Sequence, residues 1–311
     1  DAAGNISTKS TATLTVDNTA PTNQNDVFPT SVTQKGGSTV TIVSSGTASN
    51  AVWFAPTGTT SFSAGSTMTT AASGTATSIA APANEGTYYI YVLDTAGNIS
   101  TKSTATLTVD NTSPTAAITY SYAGPYRNGG TDVTITATFN EPMADATPTK
   151  IGITGATTLA ATNMTKSSTT AYTYSYTVPA GDGTQTIALT VGTDVAGNVI
   201  TSAPTSGSTF VLDNTAPTNQ NDVFPSSVTQ QGGSTVTIVS SGTASNAVWF
   251  APTGTTSFSA GSTMTTAASG TATSIAAPAN EGTYYIYVLD AAGNISTKST
   301  ATLTVDNTAP T

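Results

Sequence analysis

The chain reads as short runs in which apolar and β-branched residues recur at every second position, broken by Gly, Pro, Asn or Asp. STVTIVSSG (38–46), ASNAVWFAP (48–56) and GTYYIYVLD (86–94) all follow this pattern. A period of two sends successive side chains to opposite faces, so each run predicts a strand with one buried face. GTYYIYVLD, the turn Asp94-Thr95-Ala96-Gly97-Asn98 and STKSTATLTV (100–109) predict a hairpin, with Gly and Asn where a tight reversal needs positive φ. TIALTVGTD (186–194), VAGN and VITSAP repeat the phrase. Roughly six to eight such strands in about 95 residues fit a two-sheet antiparallel sandwich, so the expected fold class is all-β.

The pattern itself recurs. Residues 17–114 return at 213–310 with four differences, Thr30/Ser226, Lys35/Gln231, Thr95/Ala291 and Ser113/Ala309. Residues 1–22 match 94–115 with two differences. The expected organisation is a last-strand fragment (1–16), repeat A (17–110), a divergent repeat B (111–213), a second copy of A (214–306) and the start of a further linker (307–311). Each repeat ends in VDNTSPT, LDNTAPT or VDNTAPT, and Pro21, Pro114 and Pro217 stiffen the entry into the next repeat. The chain thus reads as a window on a longer array. Fragment 1–16 is expected to pair elsewhere, pack on a neighbour or stay loose.

Composition then removes most chemistries. Of 311 residues 7 are Lys or Arg and 16 are Asp or Glu, giving a net charge of −9. Charged residues make up 7% against roughly 25% in an average domain, and there is no His or Cys. Ser-His and Cys-His nucleophile pairs, ordinary zinc sites and thiol redox centres are therefore excluded. Seven scattered cations do not make a nucleic-acid surface. No apolar run reaches the length of a membrane helix. Glu141 and Asp194 are a carboxylate pair in principle, but a domain junction offers no sugar-lined cleft, so no catalytic residue is assigned.

The few carboxylates cluster in sequence at boundaries. In a seven-strand sandwich the turn before the last strand lies beside the incoming linker. That places Asp94 near Asp17, Asp194 near Asp110 and Asp290 near Asp213, with Asn98, Asn198 and Asn294 in the same turns. Asn140-Glu141-Pro142 of repeat B comes to the same end, so Asp110, Glu141 and Asp194 should gather there with Asn111 and Asn198 nearby. Glu85 and Asp182 sit at the facing ends of the preceding repeats. Carboxylates about 5 Å apart repel by roughly 3 kcal/mol per pair at an effective dielectric near 20. Oxygen-only ligands of this kind suit Ca²⁺, so one Ca²⁺ per junction is one expectation. The other is that these Asp and Asn residues only bond their own backbone in Asx-turns. Asp26 and Asp222 are further candidates in repeat A, whereas Asp132 and Asp145 read as solvated turn residues.

The phrases DxAGN, VDNTAPT and VTITATFNEPM (133–143) resemble bacterial immunoglobulin-like repeats, over essentially the whole chain. The resemblance implies tandem sandwiches in an extended rod. It also implies a secreted or cell-surface location, neighbouring repeats as partners, and Ca²⁺ at the junction residues named above. Four functional classes stay in view. They are a spacer in an adhesin stalk, a subunit of a filament or surface layer, a glycan- or protein-binding module, and, least supported, an enzyme. The binding module would use Tyr120, Tyr122, Tyr126, Tyr172, Tyr174 and Tyr176 of repeat B.

Other residues carry structural expectations. Trp53 and Trp249 are expected in the core. Tyr88 fits a tyrosine corner that Gln185 or Thr186 replaces in repeat B. Lys102 and Lys298 read as exposed amines rather than crosslinks. The Asn-x-Ser/Thr triplets at Asn98, Asn111, Asn163 and Asn294 read as turn chemistry.

Overall fold

The computed structural model describes residues 2–44, 49–71, 74–240, 245–268 and 270–310. It divides into two compact units. One comprises Asp1–Pro114, Asn140–Thr147 and Val191–Thr201, the other Thr115–Phe139, Pro148–Thr190 and Ser202–Thr311. Two loops of repeat B thus belong with repeat A, so the unit borders differ from the repeat borders at 110/111 and 213/214.

Repeat A opens with one helical turn, α1 (Gln24–Val27), followed by β1 (Val32–Gln34), β2 (Thr39–Thr41), β3 (Ala51–Ala55) and β4 (Thr69–Ala71). β5 (Ser78–Ala80), β6 (Gly86–Leu93) and β7 (Leu107–Val109) complete it. One sheet runs β1-β7-β6-β3-β4, and β2 pairs with β5 in the other. β1 joins β7 in parallel; the other pairings are antiparallel. Val40, Val52, Phe54, Ile79, Ile90 and Leu107 are among the side chains that fill the core, and Phe28 from the end of α1 meets Phe54 edge-on at 5.1 Å. Part of the expected strand 38–46, and position 48 of the next, lie outside the described residues.

Two features depart from the expected pattern. Val52 and Phe54 take the inward positions of β3, so Trp53 faces the other way. It is half-buried, 5.4 Å from the ring of Phe62, which in turn meets Tyr91. Trp249 repeats this with Phe258. The period-two rule that places Phe54 inside excludes its neighbour. Second, STKSTATLTV forms a strand only over Leu107–Val109. Before that, buried serine hydroxyls take the place of carbonyls as acceptors. The Val92 N–H donates to Ser100 Oγ at 2.9 Å and the Ile90 N–H to Ser103 Oγ at 3.0 Å.

Repeat B contains β8 (Ala116–Tyr120), β9 (Val133–Phe139), β10 (Lys150–Gly155) and β11 (Leu159–Asn163). β12 (Thr165–Lys166), β13 (Ala171–Tyr176), β14 (Gly183–Thr190) and β15 (Thr209–Leu212) come next. Its sheets run β12-β13-β9-β8 and β11-β10-β14-β15. Burial alternates strictly along β9, with Val133, Ile135, Ala137 and Phe139 inside. After β8 the chain crosses to the second sheet, where Tyr126 bridges Leu212 in parallel. The tyrosine stripes divide: Tyr126, Tyr172 and Tyr176 are buried, while Tyr120 and Tyr174 are half-buried.

The second copy of A repeats the first. It has α2 (Gln220–Val223), β16 (Val228–Gln230), β17 (Thr235–Thr237), β18 (Ala247–Ala251) and β19 (Thr265–Ala267). β20 (Ser274–Ala276), β21 (Gly282–Leu289) and β22 (Leu303–Val305) complete an equivalent pair of sheets with its own core. The two helical turns are the only helices among the described residues, and no helix is long and apolar enough to cross a membrane.

Among the described residues of the fragment, 2–16, no strand is formed. Leu14 is 91% and Val16 72% exposed, although the same residues at Leu107 and Val109 are buried in β7. In the repeats this sequence ladders onto GTYYIYVLD, and both such strands pair instead with their own β7 and β22.

Candidate metal centre

The turn D-x-A-G-N has one conformation at three places. Asp94 Oδ1 accepts the N–H groups of Ala96 and Asn98, each at 2.9 Å, while Gly97 takes φ +93°. That φ is in the region open to glycine. The Asn98 amide nitrogen then donates twice, to Asp94 Oδ2 at 2.8 Å and to the backbone carbonyl of linker residue Asp17 at 3.1 Å. Asn198 does the same to Asp194 Oδ2 (2.8 Å) and the Asp110 carbonyl (2.9 Å). Asn294 bonds Asp290 Oδ2 and the Asp213 carbonyl, both at 2.9 Å. The Asn thus ties each turn to its incoming linker. The linker acids cap themselves: Asp17, Asp110 and Asp213 accept the N–H of Thr19, Thr112 and Thr215. Each of these acids bonds its own local backbone, two residues on as in an Asx-turn at Asp17, Asp94, Asp110 and Asp213, and three or four residues on at Asp194 and Asp290.

Only one junction adds a third carboxylate among the described residues. Asp110, Glu141 and Asp194 each bring an oxygen within 4.8 Å of the others. Glu141 is carried there by the loop after β9, which is stitched to the turn by a bridge between Met143 and Asp194 and by the Ala144 N–H donating to Thr193 O at 2.9 Å. Asp194 and Asn198 are 2% and 1% exposed, and Asp110 and Glu141 are half-buried. Burial pushes the Glu141 carboxyl above its ordinary range, and the neighbouring charges of Asp110 and Asp194 push it further. Two oxygens of these residues have no partner: Glu141 Oε1 and Asn198 Oδ1 are both buried and unbonded. Burying such acceptors unpaired costs about 1–3 kcal/mol each. Carboxylate and amide oxygens together are ligands for a hard cation, so the chemistry of this donor set suits such an ion.

The other candidate residues have different employment. Glu85 Oε1 accepts the Asn111 N–H at 3.1 Å and the Thr112 hydroxyl at 3.0 Å. The Asn111 side chain bonds Gly36 N and Ala83 O, so Glu85 and Asn111 fasten the outgoing linker. Asp182 does the same for Asn214 N and the Thr215 hydroxyl, contacts that hold its carboxyl below its ordinary range. Asp17 and Asp94 line one cavity of about 550 Å³, and Asp213 and Asp290 an equivalent one of about 560 Å³, each with two carboxylates rather than three. Asp26 is exposed on α1. Sequence reasoning missed Arg127, the single arginine of the chain. Its side chain lies so close to the Asp290–Asn294 turn that a Cβ on Gly293 would come within 3.3 Å of Nε. The signal was available: a lone Arg in a chain with 7 cations.

No protein-family model matches the chain, and no curated protein matches it. Several solved structures align with most of the chain. The Escherichia coli adhesin FdeC is 14% identical, with 91% of this chain and 98% of that one covered at a TM-score of 0.35. The FN1-FN3 domains of chicken CNTN1 are 12% identical, covering 88% and 95% at 0.33. A tetra-tandem repeat from the extending region of a large adhesion protein is 14% identical, covering 86% and 69% at 0.28. By its own sheets and repeats, the chain is a tandem array of immunoglobulin-like β-sandwiches.

Proposed function

We propose that the chain is a spacer segment of a secreted bacterial surface protein of adhesin type, built from bacterial immunoglobulin-like repeats and stiffened by Ca²⁺ at Asp110, Glu141 and Asp194. The observation that carries the metal is the pair of buried, unpartnered oxygens, Glu141 Oε1 and Asn198 Oδ1, beside three converging carboxylates. Near-identical copies suit a spacer, which needs length and stiffness more than individuality. The linker locks support the same reading, because Asn98, Asn198 and Asn294 on one side and Glu85 and Asp182 on the other hold linkers through named bonds. Its partners are neighbouring repeats of the same chain.

Calorimetric titration of the intact chain with CaCl₂ tests the metal. The expected result is one site with a Kd on the order of 10⁻⁴–10⁻³ M, as in extracellular modules. Glu141→Gln should abolish it. A titration with no heat beyond dilution, or one that Glu141→Gln leaves unaltered, overturns the proposal. A second reading, a subunit of a filament or layer, is favoured by exposed Ile6, Leu14 and Val16 in a segment whose sequence forms a buried strand elsewhere. Mass measured by light scattering over a hundredfold concentration range would rise under that reading and stay constant under the first.

A further inference from the structure

Each repeat fastens its outgoing linker a second time, through a tight turn near its own start. In repeat A the turn Lys35–Ser38 closes by the Ser38 N–H donating to Lys35 O at 3.1 Å, with Gly37 at φ +77°. The Gly36 N–H inside it donates to Asn111 Oδ1 at 2.8 Å. The second copy does the same through Gly232 and Asn307. Repeat B builds this turn from Arg127, Asn128, Gly129 and Gly130. The Gly130 N–H donates to Arg127 O at 3.2 Å, Gly129 takes φ +72°, and the Asn128 N–H donates to Asn214 Oδ1 at 2.6 Å. At the second turn position, then, repeat A has glycine and repeat B asparagine. A Cβ on Gly36 or Gly232 would lie 2.5 Å from the carbonyl oxygen of Ala83 or Ala279, so repeat A leaves no room for a side chain there.

Asn128 is the only asparagine of the sequence that precedes a glycine. The turn imposes the pair, because a φ of +72° at position 129 calls for a residue without a Cβ. The Gly129 nitrogen is therefore shielded by no side chain of its own. Both residues are exposed. Among the described residues, none bonds the Asn128 side chain or the Gly129 N–H. By contrast Asn98, Asn111, Asn198, Asn214 and Asn294 are held by hydrogen bonds and precede Ile, Val or Thr. A free side-chain amide followed by an unhindered backbone nitrogen is the reactant pair of imide formation. The Gly129 nitrogen bonds Asn128 Cγ, the Cγ–Nδ2 bond breaks, and ammonia departs with the Gly129 proton. Water then opens the cyclic imide. Opening at Cγ leaves aspartate; opening at the main-chain carbonyl carbon leaves isoaspartate, whose backbone is one methylene longer.

We propose that Asn128 is a self-modification site, converted through an imide to aspartate or isoaspartate, and that the conversion releases the fastening on the linker after repeat B. Water is the one co-reactant. The added methylene spoils the spacing by which the Gly130 N–H closes on Arg127 O, and that closure aims the Asn128 N–H at Asn214. The new carboxylate also brings negative charge to Asn214 Oδ1, an acceptor, at a linker where Asp182 already takes the Asn214 N–H. Repeat A has glycine at both central turn positions and so has no side-chain amide to cyclise. The joint after repeat B thus loosens with age while the fastening made by repeat A holds. The modification needs no cation at Asp110, Glu141 and Asp194.

The test is to hold the intact chain at mildly alkaline pH and body temperature for a month, following it by peptide mapping and residue-resolved hydrogen exchange. Asn128 should be the first asparagine to convert, shown by the mass gain of an amide turned to acid, with isoaspartate in excess of aspartate. In the converted chain the N–H groups of residues 128 and 214 should lose protection, while those of Gly36 and Asn111 keep theirs. Asn128→Gly, which copies repeat A, should show no loss at Asn214 over the same period. Asn128 remaining intact after a month, conversion that leaves Asn214 as protected as before, or the same loss in Asn128→Gly would each overturn the proposal.

Discussion

Asn98, Asn198 and Asn294 show how one side chain joins a turn to a linker. Each amide nitrogen spans a carboxylate of its own turn and a carbonyl of the incoming chain. Replacing buried Asn198 with Ala leaves the Asp110 carbonyl and Asp194 Oδ2 without that donor, so a loss of about 1–3 kcal/mol in urea unfolding is expected. The same bonds set a pH dependence. The Asn98 amide and the turn N–H groups hold the Asp94 carboxyl below its ordinary value of 3.8. A lowered carboxyl binds fewer protons folded than unfolded, so its stabilisation is present above pH 3.8 and is lost as pH falls through the lower folded value. Titration by NMR should therefore find Asp94 below 3.8 in the wild type and shifted upward in Asn98→Ala. These residues were legible in sequence as turn and boundary chemistry. Their partners were not: nothing in spacing alone tells whether Asn111 faces Glu141 or, as found, Gly36 and Ala83.

At the scale of elements, the last strand is where local rule and tertiary context diverge. STKSTATLTV has the composition of a full strand, yet only Leu107–Val109 ladders. Ser100 and Ser103 fold inward and take the N–H groups of Val92 and Ile90. Period-two reasoning places each strand residue on one face or the other and does not foresee a side-chain hydroxyl taking a ladder carbonyl's place. Ser103→Ala would leave the buried Ile90 N–H unpaired, and a loss of about 1–3 kcal/mol is expected in denaturant melts. The tyrosine corner was legible, because Tyr88 stands at the start of β6 and its hydroxyl donates to Asn84 O at 2.9 Å. Tyr88→Phe should cost about 0.5–1.5 kcal/mol, the net worth of one such bond. In repeat B the candidate Gln185 is buried and bonded to Thr157, and a hydroxyl bond four residues back occurs instead at Tyr126, which the sequence did not single out for it. Trp53 was misplaced because a large aromatic in the third strand suggested the core, whereas Val52 and Phe54 already held the inward positions.

At the scale of the molecule, the recurrence of 98 residues with four changes is a property of the sequence itself. The three-carboxylate cluster was legible from strand direction alone, which sends the turn before the last strand back to the incoming linker. What sequence did not separate was this junction from its neighbours. Glu141 comes from a loop that repeat A replaces with another, and Arg127 places a positive charge beside the Asp290–Asn294 turn. If a cation holds Asp110, Glu141 and Asp194 together, as proposed, calorimetric melting of the intact chain will register it. With 10 mM CaCl₂ against 10 mM EDTA, a site of the proposed affinity contributes about 1.4–2.7 kcal/mol, which should raise one transition by several degrees. Glu141→Gln should remove that response and, in EDTA, melt no lower than the wild type. Superimposable curves in Ca²⁺ and EDTA would contradict a cation at this junction.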